Sequence, residues 1–135
     1  MNRPALFVVA AGVALIAAAV PNYAHHSFAA EFDRSKTITV TGSVTKLEWT
    51  NPHARVYVDG KDETGKQQVW DFELGPPNGL MRNGWSRNSL KNGHTVTVSG
   101  FRSKTSTVVA NARTVTLADG RQVFAGSSFE TGEGK

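Results

Sequence analysis

Apolar and polar residues alternate in several short segments after residue 35, and this period of two is typical of half-buried β-strands. The first segment carries two apolar sets, Ile38, Val40 and Val44 in one parity and Leu47 and Trp49 in the other. A parity change near residues 42–46 indicates one extra residue in the strand, because a β-bulge shifts every later side chain to the opposite face. We therefore predict one long, bent first strand that changes face midway and can serve two sheets.

The next two segments are predicted to form a hairpin. Asn51-Pro52 turns the chain, since proline cannot continue a strand ladder. The inward positions are Ala54, Val56 and Val58 in the second strand and Trp70, Phe72 and Leu74 in the third. The polar residues 62–65 separate the two strands, so they are expected to pair.

A different spacing follows the third strand. Residues 78–90 carry Leu80, Met81, Trp85 and Leu90 at intervals that fit short helical turns, interrupted at Asn83-Gly84. Two more strands are predicted over residues 95–101 and 107–117, and Asp119-Gly120 then starts a tight turn into a short return through Val123 and Phe124.

This order of elements predicts a mainly β protein. The predicted order is three strands, a short helical connection and two further strands. This is the order of elements in a small five-stranded, OB-like Greek-key barrel, in which the helical connection lies between strands 3 and 4. A β-sandwich fragment with one helical turn is the alternative.

The segment before the strands has the features of an export signal. Arg3 precedes the apolar run of residues 5–20, which is shorter than the ~20 residues of a membrane-spanning helix. We expect residues 1–24 to be a cleaved signal peptide with the cut between Ala24 and His25, although Ser27-Phe28-Ala29 offers a competing site. Residues 25–35 are then an N-terminal arm, 36–126 an OB-like β domain and 127–135 a disordered tail. The expected location is periplasmic or secreted, with no membrane span after cleavage.

Composition narrows the function further. The chain has no cysteine, so it has neither a disulfide nor a thiolate metal site, and its net charge of +4 comes from scattered basic residues. Scattered charge and export both argue against nucleic acid as a partner. No catalytic triad, reactive cysteine or complete phosphate loop is present, so we predict a binding module and not an enzyme. Asp71 and Glu73 share a strand face that is expected to be solvated.

Several motifs are distinctive in combination: HHSFAAEFD at residues 25–33, GSV at 42–44, EWTNPH at 48–53, WDFELG at 70–75, GW at 84–85, ANAR at 110–113 and DGR at 119–121. The chain resembles an uncharacterised family of small exported bacterial proteins, known only as a domain of unknown function. The resemblance implies a single exported domain and no established activity.

The four histidines carry the candidate chemistry. If His25 is the first residue after cleavage, its α-amine and its ring Nδ1 can chelate one metal ion, and these nitrogen ligands suit Cu(II), which stands at the top of the divalent affinity series. His53 is the first choice for a third ligand because it follows the rigid Asn51-Pro52 corner, and His26 and His94 are its rivals. Copper is therefore the expected cofactor, while zinc lacks its usual ligand spacing.

The alternative is a metal-free OB-like module that recognises an envelope glycan or a partner protein through its loops. The expected ligand-binding surface comprises Trp85 in the helical connection and Arg102 and Lys104 after the fourth strand. In this interpretation the histidines are ordinary polar residues of an arm, a turn and a loop.

Overall fold

The computed structural model describes residues 28–126, which contain two short helices and six strands. In chain order they are α1 (Phe28–Glu31), β1 (Phe32–Glu48), β2 (Arg55–Asp62), β3 (Gln67–Glu73), α2 (Pro77–Arg82), β4 (Thr95–Ser103), β5 (Val109–Leu117) and β6 (Gln122–Phe124). The chain is mainly β, as the alternation of apolar residues predicts.

The six strands form one sheet in the order β3-β2-β1-β4-β5-β6. Neighbours in this order pair antiparallel, and an additional parallel pairing between β3 and β5 joins strands that are far apart in the order. This pairing closes β1, β2, β3, β5 and β4 into a ring of five strands. β6 continues the sheet beyond β5 and lies outside the ring.

The first strand is long enough to pair with two neighbours in succession. Its first part pairs with β4 and its second part with β2, and residues 40–43 pair with both. The register with β2 shifts between Val44 and Lys46, which confirms the bulge that the parity change predicts. A Cβ on Gly42 would lie 2.2 Å from the backbone oxygen of Asp59, so the bend requires a residue without a side chain there.

The hydrophobic core lies inside the ring. Its buried members include Val56, Val58, Trp70, Phe72 and Leu74, which are the inward positions predicted for β2 and β3. Leu47 and Trp49 are partly buried and pack against this core. Alternate residues of each strand point inward, so one face of the ring is apolar and the other carries the polar chemistry.

The connection between β3 and β4 covers residues 74–94 and contributes Leu80, Trp85 and Leu90 to the core. Helix α2 has proline in its first turn, where the missing N–H costs nothing, and buries Leu80. Gly84 follows the helix with φ of 86°, a left-handed conformation that only glycine adopts freely. No helix within residues 28–126 is long and apolar enough to cross a membrane.

The N-terminal boundary of the sheet differs from the expected one. We predicted an arm up to residue 35, whereas helix α1 occupies Phe28–Glu31 and β1 already begins at Phe32. Alternation is hidden there because a second register shift interrupts the pairing with β4 between Asp33 and Thr37. The predicted signal peptide, residues 25–27 and the predicted tail at 127–135 lie outside the described residues.

Candidate functional site

One face of the β2–β3 hairpin carries a cluster of ionisable side chains. Arg55 on β2 binds Asp71 on β3 with two parallel hydrogen bonds, Nε to Oδ1 at 2.8 Å and Nη2 to Oδ2 at 2.9 Å. Its Nη1 lies 3.5 Å from Oε2 of Glu73. The other carboxylate oxygen of Glu73, Oε1, lies 3.3 Å from Nδ1 of His53. One carboxylate therefore links a guanidinium to an imidazole.

Glu73 occupies an unusual environment for a carboxylate on the outside of a sheet. Its relative exposure is only 8%, and this burial raises the pKa of its carboxyl group. His53 and Arg55 oppose the rise in pKa, whereas the carboxylates of Glu31 and Asp71 add to it. The expectation of a solvated face at Asp71 and Glu73 is wrong for Glu73, since sequence alternation gives the direction of a side chain but not what covers it.

Helix α1 packs near this cluster through an aromatic group on the outer face. The Phe28 ring lies 5.3 Å from the Phe32 ring and 5.8 Å from the Phe101 ring, measured between centroids. Phe101 on β4 pairs with Asn111 on β5, and Asn111 pairs with Glu73 on β3. Paired residues point to the same face of a sheet, so Phe28 of α1 packs at Phe101, the start of the row of positions that ends at Glu73.

A second candidate site lies where the β4–β5 connection, the β2–β3 loop and the beginning of β1 meet. It is a half-open depression of about 370 Å³, and four of its lining side chains are basic: Lys36, Lys66, Arg102 and Lys104. The Arg102 guanidinium lies 5.6 Å from the ring centroid of Trp70, which is itself buried and donates its indole N–H to the oxygen of Gly60. These contacts make the floor of the depression rigid.

Carboxylates behind the depression hold Arg102 in place. Its Nη2 lies 3.2 Å from Oδ2 of Asp62 and 2.9 Å from Oε1 of Glu63. Hydrogen bonds from Thr64, from the backbone N–H of Lys66 and from Arg102 lower the pKa of Asp62 to about 2. Asp62 is therefore ionised throughout the neutral range and stabilises the loop.

The structure places the predicted metal ligands as follows. His53 lies on the charged cluster with its side chain 38% exposed, while His25 and His26 lie outside the described residues. His94 is exposed, and its Nδ1 accepts a hydrogen bond from the backbone N–H of Lys91 at 3.3 Å. Within residues 28–126 no three histidine or carboxylate side chains are grouped so that they could hold a metal ion.

The predicted ligand-binding surface is only partly assembled. Arg102 and Lys104 line the same depression, together with two lysines that the sequence pattern did not indicate. Trp85 does not belong to this surface: it is 4% exposed, and its Nε1 donates to the oxygen of Phe124 at 2.9 Å. The prediction that Trp85 faces solvent is wrong because its side chain packs in the hydrophobic core and its N–H binds the backbone of β6.

Sequence comparison assigns the chain to a family. Residues 12–111 match the model of DUF6152, a family of unknown function. The chain belongs to this family. No curated protein and no solved structure shows a significant match to the DUF6152 chain. Membership agrees with the resemblance noted from the motifs, and any activity has to be argued from the residues themselves.

Proposed function

We propose that this DUF6152 protein is an exported, non-enzymatic binding module that takes up copper through an N-terminal histidine chelate. We also propose that the ring is an OB-like Greek-key barrel, and the ring of five strands supports this. The proposed ligands are the α-amine and ring of His25, with His53 as the third nitrogen and His26 as its rival. The proposed location is the periplasm or the exterior of the cell.

The observation that carries the proposal is the contact between His53 and Glu73. A carboxylate 3.3 Å from Nδ1 favours the form of the ring that carries its hydrogen on Nδ1, and in that form Nε2 keeps the lone pair that a metal ion needs. Metal-binding histidines commonly have a carboxylate partner of this kind, which orients the ring and raises its basicity. Arg55 contacts the same carboxylate and so limits its movement.

The position of α1 supports a short path between the N-terminal segment and His53. Phe28 contacts Phe101, which lies two strands from Glu73 along the paired row, and neighbouring strands are about 4.8 Å apart. The sheet distance from Phe101 to Glu73 is therefore about 10 Å. Residues 25–27 span up to about 10 Å when extended. The helical turn at Phe28–Glu31 shortens the arm, so the proposal requires residues 25–27 to extend along this row toward Glu73 and His53.

A copper titration tests the proposal. Mature protein that begins at His25 is compared with a variant that carries one extra residue before it, and Cu(II) binding is followed by visible absorption and isothermal calorimetry. The extension removes the α-amine from the chelate, and we expect at least a 100-fold loss of affinity. Equal affinity of the two proteins would refute the N-terminal chelate.

The histidines provide the second part of the test. We expect His53→Ala to weaken copper binding about 10-fold to 100-fold with the fold intact, since it removes one of three nitrogen ligands. His94→Ala tests a rival ligand, and it should bind as the parent protein does because Nδ1 of His94 already accepts a hydrogen bond from the backbone N–H of Lys91. An unchanged titration for His53→Ala would transfer the third position to His26 or His94.

The metal-free alternative has an observation of its own. Arg102 and Lys104 lie in one depression formed by loops, which is where OB-like barrels bind oligomeric ligands. An envelope glycan or a partner protein with negative charge would suit this surface. Two results together would favour this alternative. The protein would bind such a ligand without copper, and the mature protein would bind copper no more tightly than the variant with one extra residue before His25.

A further inference from the structure

The basic depression has the charge that an anion requires. The three carboxylates that contact its basic residues are Asp33, Asp62 and Glu63, against four cationic side chains in the lining. Asp33 lies 3.9 Å from the Lys36 ammonium, too far for a hydrogen bond. Among the described residues no carboxylate lies within 4 Å of the Lys66 ammonium. Positive charge therefore exceeds negative charge at this site.

Arg102 retains donors for a further acceptor. A guanidinium has five N–H donors, and both carboxylate contacts of Arg102 use Nη2. Within residues 28–126, Nη1 and Nε have no acceptor at hydrogen-bond distance. Asp62 and Glu63 fix the guanidinium on one side and the Trp70 ring fixes it on another, so it is oriented before any ligand arrives. Ligand binding therefore costs little conformational entropy of the Arg102 side chain.

The β4–β5 loop is also ordered and supplies hydroxyl groups. Oγ of Ser103 accepts hydrogen bonds from the backbone N–H groups of Thr105 and Ser106, and Oγ of Ser106 accepts from those of Val108 and Val109. Each of these serine hydroxyls acts as an acceptor in these bonds, and that of Ser106 keeps its own hydrogen to donate. Oγ of Ser103 also lies 3.5 Å from Oγ1 of Thr105, a contact in which one of the two hydroxyls donates to the other. The lining thus combines three ammonium groups, one guanidinium and neutral O–H donors.

We propose that this depression binds a phosphate group, either as free phosphate or as the headgroup of an anionic phospholipid. A tetrahedral oxyanion accepts hydrogen bonds from several directions at once, which suits ammonium and hydroxyl donors from three separate segments better than a planar carboxylate does. The volume of about 370 Å³ accommodates the group together with part of a carrier. The site contains none of the candidate copper ligands, so it is independent of the proposed copper function.

The first experiment uses inorganic phosphate as the probe. The protein is titrated at low ionic strength, and backbone amide shifts are followed by NMR in parent protein, Lys66→Gln and Lys36→Gln. We expect saturable shifts centred on residues 103–109 and an approximately 5-fold weaker Kd in each variant. Lys91→Gln is the matched control: it removes the same charge from an exposed lysine before the start of β4, whereas the depression lies at the other end of that strand. It should bind as the parent does.

A second arm distinguishes the two sources of the phosphate group. Vesicles of phosphatidylglycerol and of phosphatidylcholine are sedimented with the same proteins. Retention on phosphatidylglycerol alone, lost in Lys66→Gln and kept in Lys91→Gln, supports a lipid headgroup, and saturation by inorganic phosphate without retention supports the free anion. The proposal is overturned if neither probe binds, or if Lys91→Gln weakens binding as much as Lys66→Gln, since general surface charge would then explain the effect. A copper titration of Lys66→Gln should be unchanged in every case.

Discussion

Gly100 is the position at which a small substitution tests the close approach of β4 and β5 most directly. The register of the two strands shifts between Ser99 and Gly100, and a Cβ on Gly100 would lie 1.7 Å from the oxygen of Asn111 and 2.7 Å from its carbonyl carbon. Normal contacts are about 3.5 Å, so the strands would have to separate by about 2 Å. The blocking atoms belong to backbone and cannot rotate away.

The cost of Gly100→Ala follows from that geometry. Overpacking usually costs about 1–3 kcal/mol, and two rigid backbone contacts place this substitution at the upper end or beyond it. We expect the free energy of unfolding to fall by about 3 kcal/mol, a large part of the roughly 5–15 kcal/mol that holds a domain of this size. Alanine also lowers the conformational entropy of the unfolded chain relative to glycine, and this offsets less than about 1 kcal/mol of the cost.

Gly79→Ala is the matched control because it makes the same chemical change in an open place. A Cβ there would lie 3.5 Å from Cγ of Pro76, an ordinary contact, and Gly79 is within helix α2. Alanine is favoured over glycine inside a helix by about 0.5–1 kcal/mol. This variant should be as stable as the parent or slightly more stable.

Urea unfolding followed by tryptophan fluorescence measures both changes. With a slope of about 1–3 kcal/mol per molar urea, the two variants should differ in midpoint by more than about 1 M. Coincident midpoints would refute the close approach of β4 and β5, and with it the placement of Phe101 and Asn111 on the row that leads to Glu73.

Two further predictions concern stability. Asp62 has a folded pKa of about 2 against an ordinary 3.8, so its ionised form stabilises the fold above pH 4 and this contribution is lost as the pH falls toward 2. Asp62→Asn should therefore show a shallower decline of the urea midpoint between pH 4 and pH 2, and parallel curves would contradict the hydrogen bonds from Thr64, Lys66 and Arg102 that lower the pKa of Asp62. Trp85→Phe removes the donor to the oxygen of Phe124 and should lower the free energy of unfolding by about 1–3 kcal/mol. An unchanged melting temperature would contradict the burial of Trp85 and its hydrogen bond to Phe124.

The positions at which apolar and polar residues alternate were sufficient to predict most of the strands. In β2 and β3 the inward residues were correct, because side-chain direction in a strand follows directly from the period of two. The bulge in β1 could also be predicted from the sequence, because an extra residue reverses the parity of every apolar position after it. Membership of a family of unknown function was visible in the combination of motifs.

The tertiary structure decided what covers each outward-facing residue. Glu73 has the alternation of a solvated position, and its burial depends on elements that are distant in the sequence. Trp85 follows a glycine in an irregular segment, and its burial depends on packing in the core and on a hydrogen bond to β6. Lys36 and Lys66 join Arg102 in one depression because three separate segments meet there. Local pattern determines the direction of a side chain along its own strand, whereas burial and the sharing of charge depend on chain segments that only folding brings together.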